Sequence, residues 1–374
     1  MKIMIVKDRN ALNTKFLVQF ANQLAAIGHE VHVVCDSYRK PGSGELLDST
    51  VRFTNLSACR KHPITKLFAI LKKHLTIPSF RFRRIIKSER PDIIICYFPI
   101  DLYNVRFLQR NQPPVILMIH NYPPVVFEKI KSKSRLVRSI YKNLIEQVDG
   151  LQVLNKSFEK TIAAYYRVKN ITTIGNAVKQ FEPADRADLA HPKNRIIYVG
   201  RISKSGKRQH LLIDAFAKVA QRFPEWELVF WGLEKSQRYK DELNKQIEDN
   251  GLSGRVLIKG YTRDITEEYR KADINAFPSL HEGFGLGLAD GMALGLPSIG
   301  FKYTPSVNEL IIDGKNGYLV EDLDEFSDKL ALLMANKELR MQLGQQAAKD
   351  MEKFSPEKII REWDALLHKT IDLA

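Results

Sequence analysis

The stretch whose reading decides the fold is Asp273-Ile-Asn-Ala-Phe-Pro-Ser-Leu-His-Glu-Gly-Phe-Gly-Leu-Gly-Leu-Ala-Asp-Gly-Met-Ala-Leu-Gly-Leu-Pro-Ser-Ile-Gly300. Asp273 to Leu280 alternates and ends in a proline break, as a buried strand does on leaving a sheet. Glycines then open a loop. After Leu286 the spacing becomes helical, with Leu288, Met292 and Leu294 on one side, until Gly295 and Pro297 stop it. Strand, glycine loop and helix in this order aim backbone N–H groups and the positive end of a helix dipole at an anion such as phosphate. Glu282 and Asp290 flank that loop. Carboxylates repel phosphate, so they suit hydroxyl groups on either side of a diphosphate, one on a sugar and one on a ribose. Spacing alone equally allows Glu282 as a helix cap and Asp290 as a solvated helix residue. A dinucleotide fingerprint fails, because Asp290 stands where the third glycine belongs.

Working outward, 374 residues exceed one ordinary core and imply two domains, and 44% hydrophobic content fits a globular protein. No apolar run reaches the length of a membrane span. Met1 to Val6 reads as a strand rather than a signal peptide, because Lys7-Asp-Arg9 interrupts it. Cys35, Cys59 and Cys96 are odd in number and lack metal-site spacing, which favours a reducing compartment.

Charge separates the two halves. Residues 1–180 carry 30 Lys/Arg against 12 Asp/Glu, and the remainder 28 against 31. The N-terminal half therefore faces an anionic partner and the C-terminal half does not. Arg60–Lys87 holds nine Lys/Arg and no acid, interleaved with Phe68, Phe80, Phe82 and aliphatic residues, and Lys129–Lys142 adds six more. Either run alone could be a solvated helix face. Together, with aromatics expected to be exposed, they favour an anionic membrane surface. No pattern of a nucleic-acid-binding module appears, so no specific nucleic acid is expected.

Val31–Cys35, Pro91–Cys96 and Val115–Ile119 are largely apolar runs rather than alternating ones, as strands of a parallel sheet covered on both faces are. They alternate with helices such as Phe16–Ile27, predicting α/β doubly wound architecture. His120 follows the strand Val115–Ile119, where ligands bind in such sheets. A plain loop histidine is the competing reading. In the second half, the strand Arg195–Val199 runs into Gly200-Arg-Ile-Ser-Lys-Ser-Gly-Lys-Arg-Gln209, whose guanidinium and amines suit phosphate oxygens. Asp322-Leu-Asp324 spells a metal motif, but the surrounding acids make it a helix start.

Glu282 to Asp290, followed by Gly295-Leu-Pro-Ser-Ile-Gly300, Asn308-Glu-Leu-Ile311 and Asp313-Gly-Lys-Asn-Gly-Tyr-Leu-Val320, resembles the donor site of the retaining glycosyltransferases of family 4, of the bacterial surface-polysaccharide type. The family pattern is Glu, seven residues, Glu; here Asp290 takes the second place, one methylene shorter. The resemblance covers most of the second half and the first only loosely. It implies the GT-B fold, two Rossmann-like doubly wound domains facing a cleft. Residues 1–180 would form the acceptor domain, 181–193 a linker and hinge, 194–355 the donor domain, and 356–374 a helix crossing back to the first.

By that resemblance, Arg201 and Lys207 grip the donor diphosphate. The spacing is one residue longer than the family's, so Lys204 or Arg208 could share the role of Lys207. Gly283, Phe284, Gly285 and Leu286 supply donor-loop contacts, Glu282 orients sugar hydroxyls, Asp290 meets the ribose, Tyr261 with Thr262 lines the base pocket, and His120 contacts the sugar. Where many members have a glycine pair, this chain has Lys7-Asp-Arg-Asn-Ala-Leu-Asn-Thr14, so Asn13 and Thr14 are candidates to meet the acceptor. The implied activity moves a hexose or N-acetylhexosamine from a nucleotide diphosphate sugar, with UDP favoured, to a hydroxyl of a lipid-linked or surface glycan. No cofactor or obligatory metal is implied. The expected location is cytoplasmic, peripheral on the inner face of the cell membrane. An epimerase of the same fold and a non-catalytic anion- or nucleic-acid-binding protein are the alternatives.

Overall fold

The computed structural model describes residues 1–37, 46–56, 80–106, 113–262 and 264–374. Within it the chain divides into two compact units, residues 1–175 with 359–374, and residues 176–358.

Unit 1 is built on β1 (Lys2–Arg9), β2 (Glu30–Ser37), β3 (Arg52–Asn55), β4 (Ile93–Cys96), β5 (Val115–Ile119), β6 (Gly150–Val153) and β7 (Ile171–Thr173). All are parallel, in the order β3-β2-β1-β4-β5-β6-β7. The strands that read as unbroken apolar runs are sealed on both faces: Ile3, Ile5, Val6, Ile93 to Cys96 and Val115 to Met118 have no exposed surface. The helix Lys15–Ala26 turns Leu17, Phe20 and Leu24 inward. The helix Pro356–Asp372 closes this unit from Ile359 onward. Its Trp363 meets Phe20 at 4.7 Å between ring centroids, and Asp364 bonds His29 at 2.8 Å.

One reading of the basic stretches changes. The aromatics of Arg60–Lys87 were expected on the surface, but Phe82 is fully buried, because the helix Phe80–Glu89 turns it inward and leaves Arg83, Arg84 and Lys87 outside. The part of that run before residue 80, and Cys59, lie outside the described residues. Cys35 and Cys96 are buried.

Unit 2 carries β8 (Arg195–Val199), β9 (Glu227–Trp231), β10 (Val256–Gly260), β11 (Ile274–Phe277), β12 (Ser298–Phe301) and β13 (Gly317–Val320). They are parallel in the order β10-β9-β8-β11-β12-β13. Residues 181–193 belong to this unit rather than hanging between units. Leu189 enters a cluster with Ile197, Tyr269, Leu294 and Leu296, and Phe181 and Ala187 pack on it. Their apolar side chains give the segment a surface to bury, which its polar composition concealed.

In each sheet the strand order reverses once, between β1 and β4 and between β8 and β11, and the loops leaving those strands at their carboxyl ends are where such folds hold ligands. The decisive stretch occupies the second of these points. β11 is Ile274–Phe277, the loop runs from Pro278 to Gly285, and the helix Leu286–Ala293 follows. Gly285 has φ +90°, a conformation that Leu or Ala would adopt only under strain, and its carbonyl receives Leu288 N and Ala289 N at 2.9 Å each. Gly287 lets the helix lie on β8: a Cβ there would sit 2.2 Å from Val199 O.

Since that neighbour is backbone of a central strand, Gly287→Ala must push the helix off the sheet. We expect a loss of about 1–3 kcal/mol in the unfolding of unit 2. Gly314→Ala, where a Cβ meets nothing within 4 Å and only a φ of +70° opposes it, should cost about 1 kcal/mol. Urea titrations of the two variants side by side check the order.

Candidate active site

The loop after β8 and the loop after β11 are tied to one another. Leu280 N donates to Gly206 O at 2.9 Å, and Gly206 sits against the His281 ring, where a Cβ would come within 3.4 Å. From the other side, Thr304 Oγ1 donates to Ser279 O at 2.6 Å and Ser306 Oγ donates to Gly283 O at 2.9 Å. Ser306 holds this position at φ +73°, outside the usual range for its residue type. The glycine-rich loop is thus braced by the turn after β12 and by the loop after β8.

Inside this frame Lys207 and Glu282 form an ion pair through Nζ and Oε1. Glu282 is 8% exposed and the Lys207 side chain 15%. Lys207 is the carboxylate's hydrogen-bond partner among the described residues. Immediately after it, the N–H groups of Gly283, Phe284, Gly285 and Leu286 donate to no described residue, as the first turn of a helix leaves them. Leu286 is 39% exposed at this mouth, while Phe284 turns inward, edge-on to Phe354 at 5.0 Å. Arg201 stands exposed on the neighbouring loop, its guanidinium bonded to no described residue. A carboxylate held by a lysine, a row of free N–H groups and an unengaged guanidinium together offer acceptors to hydroxyls and donors to an anion.

The two alternatives to Lys207 are engaged elsewhere. Lys204 Nζ reaches Glu242 at 2.7 Å on the outer surface. Arg208, at φ +50°, donates from Nε to Pro278 O at 3.1 Å and from Nη2 to Tyr303 Oη at 2.8 Å, and its guanidinium lies over the Phe301 and Tyr303 rings. It acts as a clamp between the loops after β11 and β12. Asp290 is half-buried one turn into the helix and raises, by its field, the already burial-shifted hydroxyl of Tyr269, which donates to Gly287 O at 2.6 Å. Tyr261 is 62% exposed past β10, an edge strand two places from β8, so the structure does not gather it with the loop residues. Asp322 caps the helix Leu323–Ala335 by accepting from Glu325 N at 2.9 Å, the role its acidic context indicated.

In unit 1, His120 leaves β5 with its ring against Phe16 at 4.3 Å and Tyr97 at 5.4 Å. Nε2 lies 3.0 Å from Gln152 Oε1. Gln152 is fully buried, and its Nε2 already donates to Val153 O at 3.0 Å and Ile174 O at 2.5 Å. Its Oε1 can therefore only accept, which places the imidazole proton on Nε2 and leaves Nδ1 as an acceptor. Burial holds the ring's pKa down to about 3, with the Gln152 bond opposing. Gln152 was missed from sequence, although a lone amide inside the apolar strand Gly150–Val153 was the available signal.

The loop after β1 is a 3₁₀ turn, Ala11–Asn13, not an open glycine loop. Thr14 follows it, extended and half-buried, with N–H donated to Ala11 O at 3.1 Å; the Asn13 side chain lies outside the described residues. Beside this turn, fully buried Asp101 accepts from Asp8 N at 2.6 Å and Phe98 N at 2.7 Å, and burial raises its carboxyl well above the usual range. It joins the end of β1 to the loop after β4, a tie that nothing in its helical context announced.

Two parallel sheets, each with one reversal and a ligand-type loop cluster at it, define a GT-B architecture. Residues 14–180 match the pattern of Glycosyltransferase Family 4 and residues 181–350 that of Glycosyl transferases group 1. The two patterns together span residues 14–350, and the chain belongs to the glycosyltransferases that they describe. It is 28% identical over 302 residues to a poly(ribitol-phosphate) alpha-N-acetylglucosaminyltransferase of Staphylococcus aureus, covering 78% of this chain and 58% of that protein. It is 29% identical over 196 residues to a poly(glycerol-phosphate) alpha-glucosyltransferase of Bacillus subtilis, covering 51% and 28%. The chain thus spans well under two thirds of either relative's length. Among solved structures, HepE of Anabaena in complex with UDP superposes with a TM-score of 0.75 at 20% identity, over 99% of this chain and 100% of that one.

Because the folded pKa of His120 is depressed, the stability that its neutral ring contributes is complete above the unfolded value near 6.5 and is lost as pH falls toward the folded value near 3. The imidazole should keep its neutral nitrogen shifts in NMR spectra down to pH 5. A titration midpoint near 6.5 would contradict this.

Proposed function

We propose that the chain is a retaining glycosyltransferase that moves a hexose or N-acetylhexosamine from a UDP-sugar to a hydroxyl of a cell-surface glycan or its lipid-linked precursor. The observation that carries this is the Lys207–Glu282 pair set against the unpaired N–H groups of Gly283–Leu286, with Arg201 unengaged beside them. Diphosphate oxygens suit the N–H groups, Arg201 and Lys207, and sugar hydroxyls suit Glu282. Uridine as the base is supported by the likeness to a protein solved with UDP, and a surface glycan as the acceptor by the names of the relatives.

In the reaction the bond from the anomeric carbon to the diphosphate oxygen breaks. The acceptor oxygen bonds to that carbon from the same face, and its proton passes to the departing phosphate. Arg201, Lys207 and the loop N–H groups stabilise the charge developing on the diphosphate, the largest electrostatic task of the step. Asp290 is assigned to the ribose, Tyr261 to the base and neutral His120 to the sugar. His120 can accept one hydrogen bond there through Nδ1 without adding charge.

Unit 1 meets an anionic membrane surface. The helices Phe80–Glu89 and Arg135–Glu146 both pack on the helix Pro99–Arg106, so they lie on one side of the sheet. Arg83, Arg84 and Lys87 on one, and Arg135, Arg138 and Lys142 on the other, are exposed, with Leu136 72% exposed among them. Among the described residues no helix is long and apolar enough to cross a membrane.

Calorimetry against UDP, GDP, UDP-glucose, UDP-galactose and UDP-N-acetylglucosamine tests the donor assignment. One UDP-sugar should bind, Arg201→Ala should weaken all nucleotides by about tenfold or more, and Glu282→Ala should erase the gain in affinity that the sugar gives over the bare nucleotide. Absence of any nucleotide binding at millimolar concentration defeats the proposal. For the surface, Arg135→Glu with Arg138→Glu and Lys142→Glu should abolish cosedimentation with phosphatidylglycerol vesicles, and equal wild-type binding to phosphatidylcholine vesicles would refute the electrostatic reading.

A further inference from the structure

Lys207 and Glu282 are assigned to different parts of one ligand, the lysine to the diphosphate and the carboxylate to the sugar, yet in the ligand-free site they are bonded to each other. Glu282 is almost wholly buried and Lys207 is its hydrogen-bond partner among the described residues. Of the other basic groups around it, Arg201 is assigned to the same diphosphate, and the rest are held elsewhere or are neutral. Arg208 is held by Pro278 O and Tyr303 Oη, and Lys204 by Glu242. The His281 ring, whose pKa burial lowers, remains neutral near pH 7. The Tyr198 hydroxyl is fully buried on the inner side. A buried carboxylate that loses its one cation is left with an uncompensated charge, which costs more than forming the pair gained.

Resting on the reading of this site as one for nucleotide sugars, we propose that the Lys207–Glu282 pair discriminates the intact donor from the spent nucleotide. A nucleoside diphosphate alone draws Lys207 onto its phosphate oxygens and strands Glu282. A donor that carries its sugar brings hydroxyl donors to the same carboxylate, so Lys207 can turn to the phosphate without leaving a bare charge behind. The pair therefore weakens product binding selectively. It favours departure of the diphosphate once transfer has removed the sugar. Simple repulsion between Glu282 and phosphate would weaken both ligands alike and would not require Lys207; the device described here requires both residues.

The test is a double-mutant cycle on binding of UDP, with GDP in parallel, measured by calorimetry on wild type, Glu282→Gln, Lys207→Met and the double variant, with melting curves to confirm folding. In the presence of Lys207, Glu282→Gln should tighten UDP by about tenfold, because the amide needs no cation. In the Lys207→Met background the same change should alter UDP affinity by less than about twofold. With the UDP-sugar that binds wild type, Glu282→Gln should weaken rather than tighten binding. Equal tightening in both backgrounds reduces the effect to plain repulsion and overturns the proposal, as does no tightening at all. Failure of all four proteins to bind either nucleotide instead defeats the donor assignment itself.

Discussion

The close approach of the helix Leu286–Ala293 to β8 is the constraint on which the second unit's site depends. Val199 O occupies the space a side chain at Gly287 would need, and the hydroxyl of buried Tyr269 bonds Gly287 O, so the helix start is fixed from two directions. Because β8 is the central strand at which the order reverses, anything fixed against its carboxyl end is also fixed against the loop that follows it. Glu282 and Lys207, 75 positions apart in sequence, meet for that reason. The braces from Thr304, Ser306 and Arg208 complete the frame. None of these side chains needs to touch a ligand to decide where the loop N–H groups point.

How far the sequence discloses this depends on how local each cause is. The strand, loop and helix around Gly285 were legible because each step has a local signature: an apolar run, a glycine cluster, helical spacing with a stop. Val115–Ile119 and Arg195–Val199 were readable to the residue for the same reason. The partners of the site residues were not, because they come from elsewhere in the chain. Arg208 looked like a phosphate ligand, and only the carbonyl of Pro278 and the hydroxyl of Tyr303 reveal it as a clamp. Phe82 looked exposed among cations, since a helix with one buried edge and several arginines has the same composition as one lying on a surface. Residues 181–193 read as a tether because polar residues outnumber Phe181, Ala187 and Leu189, whose burial is decided by Ile197 and Leu296 far along the chain.

The two units place charge in opposite ways. Unit 1 exposes Arg83, Arg84, Lys87, Arg135, Arg138 and Lys142 on helices flanking one side of its sheet, while Asp101, its one buried acid among the described residues, is satisfied by backbone N–H groups. Unit 2 is nearly neutral in total, yet within a few ångströms it sets a buried carboxylate, a half-buried lysine and unpaired N–H groups. Net charge therefore informs about the first unit's surface and says nothing of the second unit's chemistry, where pairing rather than excess sets the field.

A neutral His120 and a paired Glu282 follow the same economy. Each is a polar group held largely out of water by a single partner, Gln152 in one case and Lys207 in the other. Gln152 cannot leave, because Val153 O and Ile174 O hold its amide, so the imidazole keeps one tautomer and one orientation. Lys207 can leave, since its amine has no second anchor among the described residues. The difference in how the partner is anchored separates a group fixed in advance from a group whose state a ligand can change. For a site that must take hold of a charged donor and then release a charged product, the second arrangement puts the adjustable element where the ligand's charge changes most.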